Sequence, residues 1–173
     1  MQFVKFTLIG LIGITLAFLS LGFFHSNFQY ENQIEVNASI EDSYATFIND
    51  SLTSEWLIGY IEKETLSGTP LTPGFRFLMK FKQDGESFEM IEEIKEIKEN
   101  EKFIFDMETD LFTGTTEIYF EGKHDKTIIK AYSTMRGSNI LYRSMFYLLK
   151  SGFQKQSQMN YDLLKKVIED NKL

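Results

Sequence analysis

Residues 75–97 read FRFLMKFKQDGESFEMIEEIKEI, and their alternation decides the fold. Phe75, Phe77, Met79 and Phe81 fall on one side of an extended chain, while Arg76, Lys80 and Lys82 fall on the other. A half-buried strand requires that period of two, because its successive side chains point to opposite faces. Asp84-Gly85 then supplies the two-residue turn favoured in hairpins. Ser87 to Ile97 returns as a long strand whose alternation slips near Ile91 to Glu93, which predicts a bulge there. Such a hairpin belongs to an antiparallel sheet with one face on a core.

Upstream, Phe28 to Val36 (FQYENQIEV) reads as a first strand. Ala38 to Asp42 opens a helix: Ser39 is a good N-cap, Asp42 sits near the positive helix end, and Tyr44, Phe47 and Ile48 form an apolar stripe. A short helical piece over Thr53 to Leu57 carries Trp56, Gly59 breaks it, and Tyr60 to Leu66 reads as a strand. Both prolines sit in the loop 68–74, GTPLTPG. Downstream, Lys102 to Thr109, Thr113 to Glu121 and Thr127 to Met135 read as strands separated by turns at 99–101 and 122–126. Ser138 or Asn139 caps a helix running to about Ile168. Its stripe is Leu141, Met145, Leu148, Gly152, Met159, Leu163 and Val167, widened by Tyr142, Phe146, Leu149 and Phe153. The expected class is α+β: about seven antiparallel strands, two short helices after the first strand and a long C-terminal helix.

Residues 6–24, FTLIGLIGITLAFLSLGFF, carry no charge, and twelve of them are Leu, Ile or Phe. Those twelve favour a bilayer by about 4 to 7 kcal/mol, before a discount for Thr7, Thr15, Ser20 and three glycines. At about 1.5 Å per residue the stretch spans ~28 Å, close to the hydrocarbon thickness. A cleaved signal with its site near Ser20-Leu21-Gly22 competes with an uncleaved anchor, as does a buried core helix. The anchor reading is preferred: the apolar run continues through Phe23-Phe24, and no face is polar. Lys5 precedes the segment, and the next basic residue apart from His25 is Lys63, so the positive-inside rule sends the rest of the chain outside the cytoplasm. The expected organisation is a transmembrane anchor at 1–24, a short linker at 25–29 and one domain at 30–173.

Beyond residue 24 there are 17 basic against 25 acidic residues, a formal net charge of −8. That balance argues against nucleic acid and against docking on anionic headgroups. With no cysteine there are no disulfides, and no His-rich cluster offers a zinc or soft-metal site. No phosphate-binding, nucleophile-elbow or HExxH motif occurs.

The run Ile34-Glu35-Val36-Asn37-Ala38-Ser39-Ile40-Glu41-Asp42-Ser43-Tyr44-Ala45-Thr46-Phe47 resembles the opening of the START-like, helix-grip domains grouped as SRPBCC proteins. These include the polyketide cyclase/dehydrase-like branch and the Bet v 1 allergens. Trp56 in the second short helix, Gly74 heading a hairpin, Glu89 to Glu93 in the next strand and the closing Leu163-Leu164-Lys165-Lys166-Val167-Ile168-Glu169 extend the resemblance over roughly residues 30 to 170. Members with an N-terminal membrane segment occur in this family. The resemblance implies a curved antiparallel sheet gripping the long helix, with a cavity between them for sterols, lipids or aromatic molecules. It implies no particular reaction.

Trp56, Phe77, Met79, Met90, Phe105, Met107, Tyr119, Tyr132, Met135, Met145 and Leu149 are the expected cavity lining, since aromatic and thioether groups suit apolar guests. Core filling is the plain alternative for each. Arg136 and Arg143 are expected at the cavity mouth, where a cation would orient an anionic headgroup; surface ion pairing is their alternative. Glu92, Glu93, Glu96, Glu99 and Glu101 read as a solvated strand edge and turn, and His25 and His124 as solvated. No catalytic residue, metal or cofactor is assigned. The expected function is a membrane-tethered domain binding an apolar small molecule or lipid without catalysis. A cyclase/dehydrase-like enzyme, or an interaction module with a filled core, are the alternatives.

Overall fold

The first strand of the sheet pairs with the last, so the chain's two ends meet along one edge. The computed structural model describes residues 2–83, 85–123 and 125–171; Asp84 of the expected turn and His124 lie outside the described residues. In chain order the elements are α1 (Gln2–Phe24), β1 (Phe28–Val36), α2 (Ile40–Ile48), a 3-10 turn (Asp50–Leu52), α3 (Thr53–Trp56) and β2 (Tyr60–Ser67). There follow β3 (Arg76–Gln83), β4 (Glu86–Lys98), β5 (Lys102–Glu108), β6 (Phe112–Lys123), β7 (Lys126–Gly137) and α4 (Ile140–Asn171). The strands form one seven-stranded antiparallel sheet ordered β1-β7-β6-β5-β4-β3-β2. β2 to β7 are successive neighbours, and α2 and α3 carry the chain from one edge to the other. The sheet curves around α4 in a helix-grip arrangement.

Local chemistry explains the helix starts. Ser39 Oγ accepts from the Asp42 amide at 3.0 Å, and Asn139 Oδ1 accepts from the Tyr142 amide at 3.1 Å. Each satisfies an amide that the first helical turn leaves unpaired. The register slip in β4 lies between Ile94 and Glu96, three residues later than the alternation predicts. Consequently Met90, Glu92 and Ile94 share the inward face. Glu93 turns outward to Arg76 at 3.6 Å and Lys95 at 2.9 Å.

α4 is also phased differently from the expected stripe. Its buried residues are Ser144, Phe146, Tyr161, Leu164, Val167 and Ile168, whereas Leu141, Leu148, Leu149 and Met159 are exposed. The first half of α4 is apolar on two sides because it has two neighbours, the sheet and α1. The α1 contact is close. A Cβ on Gly22 would lie 2.3 Å from the Ile140 carbonyl oxygen, the Gly22 amide donates to Ser144 Oγ at 2.9 Å, and His25 stacks on Tyr147 at 4.0 Å between centroids.

β1 is an edge strand, and unpaired edges invite unwanted pairing. Here α4 covers it with polar side chains. Gln154 Nε2 donates to Glu31 O at 2.9 Å, Gln158 Nε2 to Gln33 O at 3.3 Å and Lys165 Nζ to Glu35 O at 2.6 Å. The buried Asn32 returns the contact through Nδ2, which donates to Gln154 O and Gln158 Oε1.

Candidate functional site

Side chains do not fill the space between sheet and α4. A cavity of about 500 Å³ remains there, and two separate clusters hold the helix to the sheet. The larger cluster gathers Ile34, Val36, Ile94, Ile118 and Ile129 under Tyr161, Leu164 and Ile168. The smaller one joins Phe28 and Met135 to Phe146, with Tyr142, Met145 and Phe153 packed against it.

The cavity floor follows from strand parity, since residues two apart share a face. Phe77, Met79 and Phe81 come from β3, Met90, Glu92 and Ile94 from β4, and Phe103, Phe105 and Met107 from β5. Thr116 and Ile118 of β6 and Ser133 and Met135 of β7 complete it. Trp56 and Phe47 form a wall, and Phe153, Gln156, Ser157, Asn160 and Tyr161 of α4 form the roof. The space reaches the surface along the β2 edge, where the exposed Asp50, Leu71 and Phe88 belong to its lining.

Among the residues singled out in the sequence, Trp56, Phe77, Met79, Met90, Phe105, Met107 and Met135 border this one space. Tyr119 and Tyr132 do not. Inward positions on β6 and β7 include Ile118, Phe120, Ala131 and Ser133, so both tyrosines stand on the convex face. There their rings meet at 6.0 Å, and Tyr119 donates to Glu117 Oε2 at 2.7 Å. Met145 packs in the smaller cluster, and Leu149 is turned away from the sheet. Neither arginine stands at the mouth. Arg136 has the outward parity of Tyr132, and Arg143 Nε donates to Gly137 O at 3.1 Å, tying α4 to the end of β7.

The polar groups of the cavity are those sequence reasoning missed. Glu92, read there as solvated, is only 9 % exposed. The pattern Phe88-Met90-Glu92-Ile94 carried the signal, since it places Glu92 between apolar neighbours of its own face. Desolvation pushes its carboxyl pKa up to about 8, with the charge of Lys63 pulling the other way. No hydrogen bond from the described residues reaches that carboxyl. Lys63 instead pairs with Asp50 and lies 5.0 Å from the centre of the Phe77 ring. Burial pushes the phenols of Tyr30 and Tyr161 up, so both stay neutral. Tyr30 lies beside Ser133 and Ser157, and Ser133 shares a hydrogen bond with Thr116 at 2.9 Å. The Trp56 indole N–H is buried without a partner among the described residues. No group of metal-ligating side chains occurs among the described residues. The arrangement suits an apolar guest with a few fixed polar contacts.

The family model described as "Activator of Hsp90 ATPase homolog 1-like protein" matches residues 37–169. No curated protein sequence matches the chain significantly. Among solved structures, Ara h 8.0201 is similar with a TM-score of 0.68 at 13% identity, over 84% of this chain and 99% of that one. The protein SA2116 from Staphylococcus aureus gives 0.64 at 16% identity, over 83% and 96%. The di-domain ARO/CYC StfQ from the steffimycin biosynthetic pathway gives 0.67 at 14% identity, over 84% of this chain and 52% of that one. The family match and these neighbours bear out the SRPBCC helix-grip resemblance; at such identities the neighbours speak for the fold alone.

Glu92 predicts an inverted pH dependence. Its folded pKa, about 8, lies above its ordinary value of 4.5, so the native state holds a proton that the unfolded chain has lost. Stability therefore falls as pH rises through that window, by roughly 1.4 kcal/mol per unit of displacement. Glu92→Gln should leave stability unchanged at pH 4 and raise it by a few kcal/mol (order of magnitude) at pH 8. Denaturant titrations of the full chain in lipid nanodiscs measure this. Parallel stability curves for the two proteins would contradict a buried, neutral Glu92.

Proposed function

We propose that this chain, which belongs to the Activator of Hsp90 ATPase homolog 1-like family, holds an apolar small molecule or lipid between its sheet and α4, tethered to a membrane by α1. The observation that carries the reading is the cavity: about 500 Å³, bordered mostly by phenylalanine and methionine, and open along the β2 edge. Its size falls in the range of ligand pockets, roughly 300–1,000 Å³. A guest burying about 200 Å² of apolar surface there gains on the order of 5 kcal/mol, less the cost of association. Methionines adapt their shape to different guests, which suits selection by hydrophobicity more than by outline.

The tether reading rests on α1. Its Phe3–Phe24 stretch is long and apolar enough to cross a membrane, and Phe3, Phe6, Ile9, Ile14 and Leu16 are exposed. Water is a poor medium for so much contiguous apolar surface, and a bilayer is a good one. The lysine asymmetry supports an extracytoplasmic domain. Leu141 and Leu148, exposed on the half of α4 that packs on α1, would face the same bilayer.

Glu92 favours a second reading. A carboxyl held near neutrality inside an apolar cavity is placed to move protons, as a cyclase- or dehydrase-like enzyme requires. Turnover of a bound molecule, lost in Glu92→Gln, would select that reading over simple binding.

Native mass spectrometry of the full chain, released from a gentle detergent, should show a co-purifying apolar mass. Met79→Trp should fill part of the cavity, remove that mass and weaken binding of a hydrophobic dye at least about tenfold, the equivalent of ~1.4 kcal/mol. Unchanged dye binding in Met79→Trp would place the guest elsewhere. Alkaline carbonate should leave the chain in the membrane pellet, and protease added to intact cells should digest the domain. Release into the wash, or protection from the protease, would refute the tether or its direction respectively.

A further inference from the structure

We infer that the guest carries a protonated amine, and that Glu92 binds this amine inside the cavity while the rest of the molecule fills the apolar space. The inference rests on the binding function proposed above and names the chemical class of the guest.

Buried polar groups in folded proteins are nearly always hydrogen-bonded, and a buried carboxyl without a partner is costly. Glu92 is more than nine-tenths buried and borders the cavity, yet no described residue donates to it. The remaining titratable groups facing this space do not supply that partner. Lys63 of β2 is engaged by Asp50 and by the face of Phe77, so those two charges cancel and Glu92 is left as the excess acid. Tyr30 of β1 and Tyr60 of β2 also line the space as neutral phenols, and neither donates to Glu92. Tyr161 of α4 is neutral and adds no cation. The Glu92 carboxyl meets the open space of the cavity, where an ammonium group on the guest would complete it as a carboxylate–ammonium pair.

The surroundings suit an ammonium group better than another ligand charge. Phe103 and Phe105 border the same cavity, and aromatic faces attract cations. The net negative charge of the domain draws cations toward it and repels anions. The proton balance is explicit. A guest ammonium enters with its proton, Glu92 gives its own proton to the solvent, and a carboxylate–ammonium pair forms. One proton is therefore released for each amine bound near pH 7.

Two probes of equal ring size separate this inference from cavity binding as such: 1-naphthylmethylamine, a cation at pH 7, and 1-naphthylmethanol, which is neutral. The experiment is titration calorimetry on the full chain in lipid nanodiscs, in buffers of different ionisation enthalpy, with empty nanodiscs as the blank. The amine should bind at least about tenfold tighter than the alcohol, with close to one proton released per amine. Glu92→Gln should abolish the proton release and bring amine and alcohol affinities to within about twofold of each other. A cooperative denaturant transition in Glu92→Gln certifies the variant as folded. Alcohol binding that matches amine binding, or amine binding without proton release, overturns the inference and leaves the cavity function standing. Failure of both probes to bind the natural sequence overturns the cavity function and this inference with it.

Discussion

The structure depends on a helix clamped at both ends and polar in between. α4 is 32 residues long, about 48 Å at 1.5 Å per residue, and it lies on a sheet that curves beneath it. Leu164 and Ile168, both 0% exposed, fix its C-terminal end; Phe146 and Phe153 fix the other end through Phe28 and Met135. Residues 154–160, QKQSQMN, span the gap. Polar side chains there cannot follow the floor of the sheet downward without burying unpaired groups, so the middle of the helix bridges the floor and leaves space beneath.

The floor under that bridge is soft and apolar, and the roof is hydrogen-bonding. Gln154, Gln158 and Lys165 use their polar ends on the backbone carbonyls of β1, which protects an edge strand and fixes the rotation of α4 together. That rotation sets which residues face the cavity. It turns Gln156, Ser157 and Asn160 inward and leaves Leu141, Leu148 and Leu149 outside, on the half of the helix that meets α1. The edge-capping hydrogen bonds thus link the shape of the interior to the apolar exterior of α4.

Much of the fold was legible in the sequence because period-two alternation and turn chemistry are local. The strand Phe28–Val36 has the same bounds in sequence and structure, and Ser39 as an N-cap needs only its neighbours. The site was less legible because inward and outward are a matter of parity, and one displaced bulge inverts it. Expecting the slip near Ile91 to Glu93, and not between Ile94 and Glu96, concealed Glu92 among acids that do face water. The phenols of Tyr119 and Tyr132 suit a cavity by chemistry alone, while Ile118 and Ala131, their buried neighbours, fix the face they occupy. The phase of α4 was obscured by its second neighbour, since a helix packed on two sides has no single apolar stripe.

Methionine methyl NMR of the full chain in nanodiscs under xenon tests the unfilled interior most directly, because the residues to be compared are chemically alike. Met79, Met90, Met107 and Met135 border the cavity, whereas Met145 packs in the smaller cluster and Met159 is exposed. Xenon entering a dry apolar space should shift the first four methyl signals together, with one common affinity, and leave the other two nearly unmoved. Uniform small shifts across all six would mean that the sheet and α4 close on each other, and would contradict the account.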